Sequence, residues 1–261
     1  MKKLSLTVLA FSVFAAGSAF AADLPLPVKA LPLPVDLWTG WYVGGNLGVS
    51  FGTLNETTTR GPTDILFTQQ STPFNGVVGG VQGGYNWHMN PSWLFGLETD
   101  FQGTSERASI SESQVLTTTV FNALATTNAA VLPVTAALTD TESLLWFGTA
   151  RARVGWTPNP GALLYATGGL AYGGINSSDV LTLGKLTPVN ASFNTVRVGW
   201  TAGGGVEVFV APNWTAKVEY LYIDFGSFTN TFAGLATFNP IMVSTHITDQ
   251  IVRVGVNYHF Y

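Results

Sequence analysis

The chain has 261 residues, no cysteine, 11 basic and 15 acidic side chains, and a formal net charge of −4 at neutral pH. Only 10% of its residues are charged while 46% are hydrophobic, 13% are aromatic and 29 are glycine, against about 25% charged in ordinary soluble domains. That balance excludes a disulfide scaffold, a basic nucleic-acid surface and a charged water-facing globule, and it suits a chain whose outer wall meets lipid.

The first residues set the compartment. Lys2-Lys3, the apolar run Leu4 to Ala16 and the small-x-small triplet Ala19-Phe20-Ala21 are the three parts of a secretory signal peptide over residues 1–21. Its removal takes the basic residues from 11 to 9 against 15 acids, so nothing is left to attract nucleic acid. No later run approaches the roughly 20 apolar residues of a helical span, and without cysteine there is no lipid-modified terminus. Residues 22–37 follow as a proline-rich segment, in which alternate prolines between Asp23 and Val35 exclude a helix or a central strand. An extended periplasmic tether is expected there, with the barrel domain over 38–261.

Eight segments then alternate at period two, near 41–51, 76–87, 93–104, 144–156, 163–174, 195–210, 214–225 and 248–260. Each is long enough to supply the 9–11 residues a tilted strand needs to cross a bilayer. Short Pro- and Asn-containing connections at His88–Ser92, Thr157–Ala162 and Ala211–Asn213 take turns with long ones at 52–75, 105–143, 175–194 and 226–247. Short turns on one side and long loops on the other predict an all-β fold, an eight-stranded antiparallel transmembrane up-and-down β-barrel with both termini periplasmic. The loop 105–143 is rich in Ala and Thr and either packs over the mouth or extends strands above the membrane.

Charged residues fall in phase on the strands' polar face. Glu98, Asp100, Arg151, Arg153, Arg197, Glu207, Lys217, Glu219 and Arg253 are expected to form a paired ladder in the lumen, because unpaired charge in a narrow interior is too costly. A one-residue slip would turn Arg151 and Arg153 into lipid at about 2–4 kcal/mol each, which fixes the register. Tryptophans cluster where strands meet the short turns, so an aromatic girdle is expected from Trp41, Trp87, Trp93, Trp156 and Trp214, with Trp38 beside them and Tyr258 and Phe260 from the last strand.

Catalytic and metal chemistry find little support. Gly48-Val49-Ser50-Phe51-Gly52 satisfies G-x-S-x-G, but a nucleophile elbow needs a strand turning into a helix, and this one runs along a strand into a loop. His88, His246 and His259 are isolated in sequence, and no pair has ligand spacing. His246 near Asp249 at the extracellular rim is the nearest approach to a hydrolytic grouping. No cofactor and no enzymatic activity are expected.

The final strand reads Arg253-Val-Gly255-Val-Asn-Tyr258-His-Phe260, with Tyr261 after it. Arg253, Gly255, Tyr258 and Phe260 are similar to the C-terminal signal by which outer-membrane barrels are recognised for assembly, although that signal usually ends at the phenylalanine. Together with Ala22-Asp23-Leu24-Pro25, Trp38-Thr39-Gly40-Trp41-Tyr42-Val43-Gly44-Gly45-Asn46, the stretch Gly79 to Asn86 and Glu219-Tyr220-Leu221-Tyr222-Ile223-Asp224-Phe225-Gly226, it resembles the small outer-membrane surface proteins of alphaproteobacteria, a porin-family group related to OmpA- and OmpX-type barrels. The resemblance spans the mature chain and implies a surface antigen supporting envelope integrity and extracellular contact, without the peptidoglycan-binding domain of OmpA. It implies as partners outer-membrane lipids and lipopolysaccharide, the barrel assembly machinery, and extracellular or host ligands held by the loops. A narrow porin for small solutes is the alternative.

Overall fold

A computed structural model describes residues 36–60, 64–116, 134–183, 188–232 and 241–260. The leader, the proline-rich segment up to Val35 and Tyr261 lie outside the described residues. Eight strands follow in order: β1 (Gly40–Arg60), β2 (Asp64–Asn90), β3 (Trp93–Leu116), β4 (Val134–Asn159), β5 (Ala162–Leu183), β6 (Val189–Ala211), β7 (Trp214–Phe232) and β8 (Ile241–Phe260). Each pairs antiparallel with its neighbour in sequence, and β1 pairs with β8 from Trp41 opposite Phe260, which closes the barrel. Closure leaves no strand edge in the hydrocarbon region, where an unpaired backbone amide would cost several kcal/mol.

The short turns are built by their asparagines. Asn90 Oδ1 accepts from the backbone N–H groups of Ser92 and Trp93, both at 3.0 Å, and Asn159 Oδ1 accepts from Gly161 N–H at 3.0 Å. Asn213 takes the left-handed conformation at φ 65°, which asparagine tolerates better than a branched residue would. Its amide also donates to the His259 carbonyl at 2.9 Å, tying the last turn to the last strand.

Strand length departs from the sequence reading. Most of 52–75, 105–143, 175–194 and 226–247 is strand rather than loop, since β2 runs for 27 residues and β4 for 26. Among the described residues of these segments alternation continues, but its polarity inverts. Around mid-barrel the outward residues are apolar, such as Val81 at 65% exposed and Val254 at 56%, while Glu98 and Arg253 point inward at 4% and 1%. Further along, the outward residues become Ser109, Ser111, Thr139 and Ser143, and the inward ones Ala108, Ile110 and Leu144. Lipid outside requires the first pattern, water outside the second. Thr and Ser thus mark strands that have left the membrane, and they read as loop only when an apolar outer face is taken as the strand signal.

The barrel does not stay closed along its whole length. Pairing between β2 and β3 stops at Val78 opposite Thr104, where Ser105 Oγ accepts from Val77 N–H at 3.1 Å. Pairing between β6 and β7 stops at Trp200 opposite Asp224, beside a bulge at Gly226 with φ +71°. All four strands continue past these points, each paired only with its other neighbour among the described residues. Above the membrane the wall is therefore two sheets, β7-β8-β1-β2 and β3-β4-β5-β6, separated by two seams.

Candidate functional site: a filled lumen

Three layers occupy the interior. At the periplasmic mouth sits Trp38, which is 1% exposed and packs with Leu94, Leu163, Tyr165 and Phe209. Its indole N–H donates to the Pro160 carbonyl at 3.0 Å, and its ring meets Phe209 edge-on at 4.7 Å between centroids. Asp36 Oδ1 accepts from the backbone N–H groups of Trp38 and Thr39 at 3.1 Å and also contacts His88 Nδ1, so the entering chain is fastened to β2. Sequence placed Trp38 on the lipid girdle; it lies inside instead. It precedes the first strand, so the strand's alternation does not govern its direction.

The second layer is the charge ladder. Arg151 Nη1 reaches Glu219 at 2.9 Å, and its Nη2 reaches Asp100 at 2.9 Å and also contacts Glu98. Its Nε–H donates to Thr149 Oγ1 at 2.9 Å. Arg253 joins Asp100 at 2.8 Å and Glu219 at 2.5 Å, Arg153 joins Glu207 at 2.8 Å, and Lys217 lies 3.3 Å from Glu98 and 3.6 Å from Glu219. Neutral groups complete the network. Tyr42 donates to Glu98 at 2.7 Å while accepting from Arg153 at 3.0 Å, and Tyr165 donates to Glu219 at 3.1 Å and lies under the Arg153 guanidinium at 4.2 Å. Glu207 accepts from Thr215 and Asn257 at 2.6 and 2.7 Å.

Arg197 stands apart from this ladder. It lies a level higher with its guanidinium 4.1 Å over the Phe228 ring, joining β6 to β7 across the seam. Removing it leaves Glu98, Asp100, Glu207 and Glu219 against Arg151, Arg153, Lys217 and Arg253, so the ladder is electrically balanced. Parity along the strand put Arg197 inside but could not tell its height. Height depends on the stagger between strands, which only the closed register supplies.

Glycines admit the large side chains. A Cβ on Gly84 would lie 2.5 Å from the Tyr42 hydroxyl, and one on Gly48 2.6 Å from the Arg253 Cβ. The third layer is largely apolar: Leu54, Phe74, Ile110, Leu144, Phe147, Ile223, Phe228 and Ile247 join one buried cluster above the ladder, with buried carboxyls such as Glu56, Glu142 and Asp249 interleaved. Sequence reasoning missed it, though its signal was present as apolar residues in phase with the lumen charges.

The catalytic lookalikes do not assemble. Ser50 lies within β1, buried, and donates to Asp249 Oδ1 at 2.7 Å, with strand continuing on both sides. His246 points outward while Asp249 points in. Its Nδ1 is 2.8 Å from Ser227 Oγ and its Nε2 3.4 Å from Asp224, whose Oδ1 already accepts from Gly226 N–H at 2.7 Å. These contacts close the bulge of β7. His259 is buried, 3.3 Å from Thr215 and 3.5 Å from Glu207, and no metal-holding group exists among the described residues.

The outer wall carries aromatic residues at both ends of its apolar belt. On the short-turn side Trp41, Trp87, Trp93, Trp156 and Trp214 are exposed, with Trp214 5.2 Å from Tyr258 and Tyr258 5.1 Å from Phe260. At the other end Phe101 stacks on Trp146 at 5.5 Å and Trp200 meets Tyr222 at 5.3 Å. Gly255 faces inward against Asn46 and the Gly45 carbonyl, next to Arg253 in the ladder.

A closed eight-stranded barrel with an apolar belt, aromatic rims and an ion-paired interior defines an integral outer-membrane β-barrel protein. The chain belongs to the outer membrane protein beta-barrel domain family, whose model matches residues 6–260. It is 34% identical over 253 residues to the 31 kDa outer-membrane immunogenic protein of Brucella melitensis, covering 94% of this chain and 95% of that one. The 22 kDa outer membrane protein of Rhizobium leguminosarum is 28% identical over 77% of this chain and 69% of its own length. Among solved structures, Neisserial surface protein A aligns with a TM-score of 0.37 at 12% identity over 85% of this chain and 98% of that one.

Proposed function

We propose that the protein is a closed surface barrel, which supports the outer membrane and presents its extracellular sheets to outside partners, rather than a diffusion pore. The filled lumen carries this reading. A solute would have to displace Trp38, then break the balanced ladder, then part an apolar cluster, and a small barrel has room for little besides side chains. The immunogenic proteins of Brucella support an exposed outer surface by their name. The extracellular sheets and their tips are the parts free to carry partner specificity, being unconstrained by lipid. Lipopolysaccharide and the assembly machinery are the expected envelope partners, the latter through Arg253, Gly255, Tyr258 and Phe260.

Single-channel recording of the purified barrel in planar bilayers tests the reading. No steady conductance is expected from the unmodified protein, and R151A/R153A is expected to conduct once two guanidinium groups leave the ladder. A stable conductance in the unmodified protein that those substitutions do not alter would make it a porin.

A further inference from the structure

Above the seams, the two sheets face each other through carboxyl groups. From one sheet come Glu56 on β1 and Asp249 on β8; from the other come Glu106 on β3, Asp140 and Glu142 on β4 and Asp179 on β5. All six are at most 5% exposed. The groups meet across the gap, since Glu106 interacts with Asp249, and Asp140 with Glu56 and with Asp179, while both side-chain oxygens of Glu106 and of Asp140 are buried without a hydrogen-bond donor. Buried carboxyls set this close, with no donor to satisfy them, are held together only when a proton is shared between them. The described cation facing this group is Arg197 on β6, engaged with Phe228, while β2 and β7 present Phe74, Phe225 and Phe228.

Two further observations locate the weak line. Backbone pairing is absent at both seams among the described residues, so the sheets are joined there by side chains, whereas the membrane-spanning part is joined by an uninterrupted ladder. Thr245 Oγ1, 1% exposed and opposite Glu56 in register, has no hydrogen-bond partner. It is a spare polar group aimed at the carboxyl cluster.

We propose that the extracellular half is a two-jawed clasp, held shut by protonated carboxyl pairs between the sheets and released along the β2–β3 and β6–β7 seams when those pairs ionise. Opening would uncover the apolar inner faces around Leu54, Ile110 and Ile247, while the hydrogen-bonded barrel below stays closed. The flanking outward residues Ser105, Ser109, Thr141 and Ser143 place the pairs above the lipid, where burial pushes the Glu106 and Glu142 carboxyls up to about 8. The clasp would then begin to loosen within the ordinary pH range at the Glu106–Asp249 contact, while Asp140 holds its proton to about 11.

The chain's lack of cysteine makes the test direct. Exposed Ser192 on β6 and Thr229 on β7 flank one seam, and Ser71 on β2 and Ser111 on β3 flank the other. The variants S192C/T229C and S71C/S111C, spin-labelled in lipid vesicles, are read by electron–electron distance at pH 5 and pH 9. A single short distance at the lower pH and a longer or broader distribution at the higher are expected, with E106Q/D140N holding the short distance at both. Distances that do not change with pH in the labelled parent would overturn the proposal. So would a pH response that survives E106Q/D140N. Retained β-barrel gel mobility of each variant separates these outcomes from misfolding.

Discussion

Arg151 is the cation through which the ladder can best be interrogated. It reaches three carboxylates and a threonine, with Glu219 and Asp100 each at 2.9 Å, Thr149 at 2.9 Å and Glu98 also in contact. Replacing it with methionine keeps most of the volume and leaves four acids against three bases. Each carboxylate keeps another partner, Asp100 and Glu219 through Arg253 and Glu98 through Lys217. The loss is therefore one net buried charge rather than three orphaned ones, and breaking a buried pair costs about 3–5 kcal/mol. E98Q alone should cost less, since it removes one charge and retains an acceptor for Tyr42 and Lys217. The R151M/E98Q double variant restores neutrality and should recover at least about 1.5 kcal/mol relative to the sum of the singles. Urea unfolding in lipid vesicles, followed by tryptophan fluorescence, measures all three. Salt should change the result little, because the pairs are shielded from the ionic atmosphere. A cost below about 1 kcal/mol for R151M, or strict additivity in the double variant, would refute a tightly coupled ladder.

Other substitutions probe the remaining layers. W38A should destabilise by about 3 kcal/mol, the low end for emptying a buried tryptophan site, measurable by urea unfolding in vesicles followed through the remaining tryptophans. G84A should cost about 1–3 kcal/mol by overpacking, because the new methyl lies 2.4 Å from the Leu97 carbonyl oxygen and 2.5 Å from the Tyr42 hydroxyl; slowed folding into vesicles on gels would report it. Stability of the extracellular half should depend on pH with a definite sign. Glu106 and Glu142 are pushed up to about 8 and Asp140 to about 11, mainly by burial, so the folded form holds protons that the unfolded chain releases. The contribution of Glu106 and Glu142 is complete below the ordinary carboxylate value near 4.5 and is lost as pH rises towards 8, whereas that of Asp140 persists towards 11, each at about 1.4 kcal/mol per pH unit when fully engaged. Hydrogen exchange in the upper strands should quicken across that window beyond its intrinsic pH dependence, and E106Q/E142Q should flatten the response.

The barrel itself was legible in the sequence because lipid imposes a strict code. Every residue on a spanning strand faces either hydrocarbon or the lumen, so Val252, Val254 and Val256 against Arg253 and Asn257 determine direction without knowledge of any neighbour. The turns were equally local, since Asn90, Asn159 and Asn213 bond or bend within a few residues of themselves. Alternating long and short connections then set the strand count and the placement of the termini.

Height along the barrel was not legible. Arg197 and Arg151 share a parity, yet one sits over Phe228 and the other among carboxylates, because stagger between strands is a property of the closed ring. Trp38 and Trp41 are three residues apart, yet one fills the mouth and the other faces lipid. Above the membrane the outer solvent changes from hydrocarbon to water and the code inverts, so Ser109 and Thr141 read as loop where the chain is strand. The two seams, and the carboxyls that meet between them, belong to tertiary structure alone: they require strands far apart in sequence to part at matched heights. What a residue faces is decided by one strand and its solvent; what it touches is decided by how eight strands close.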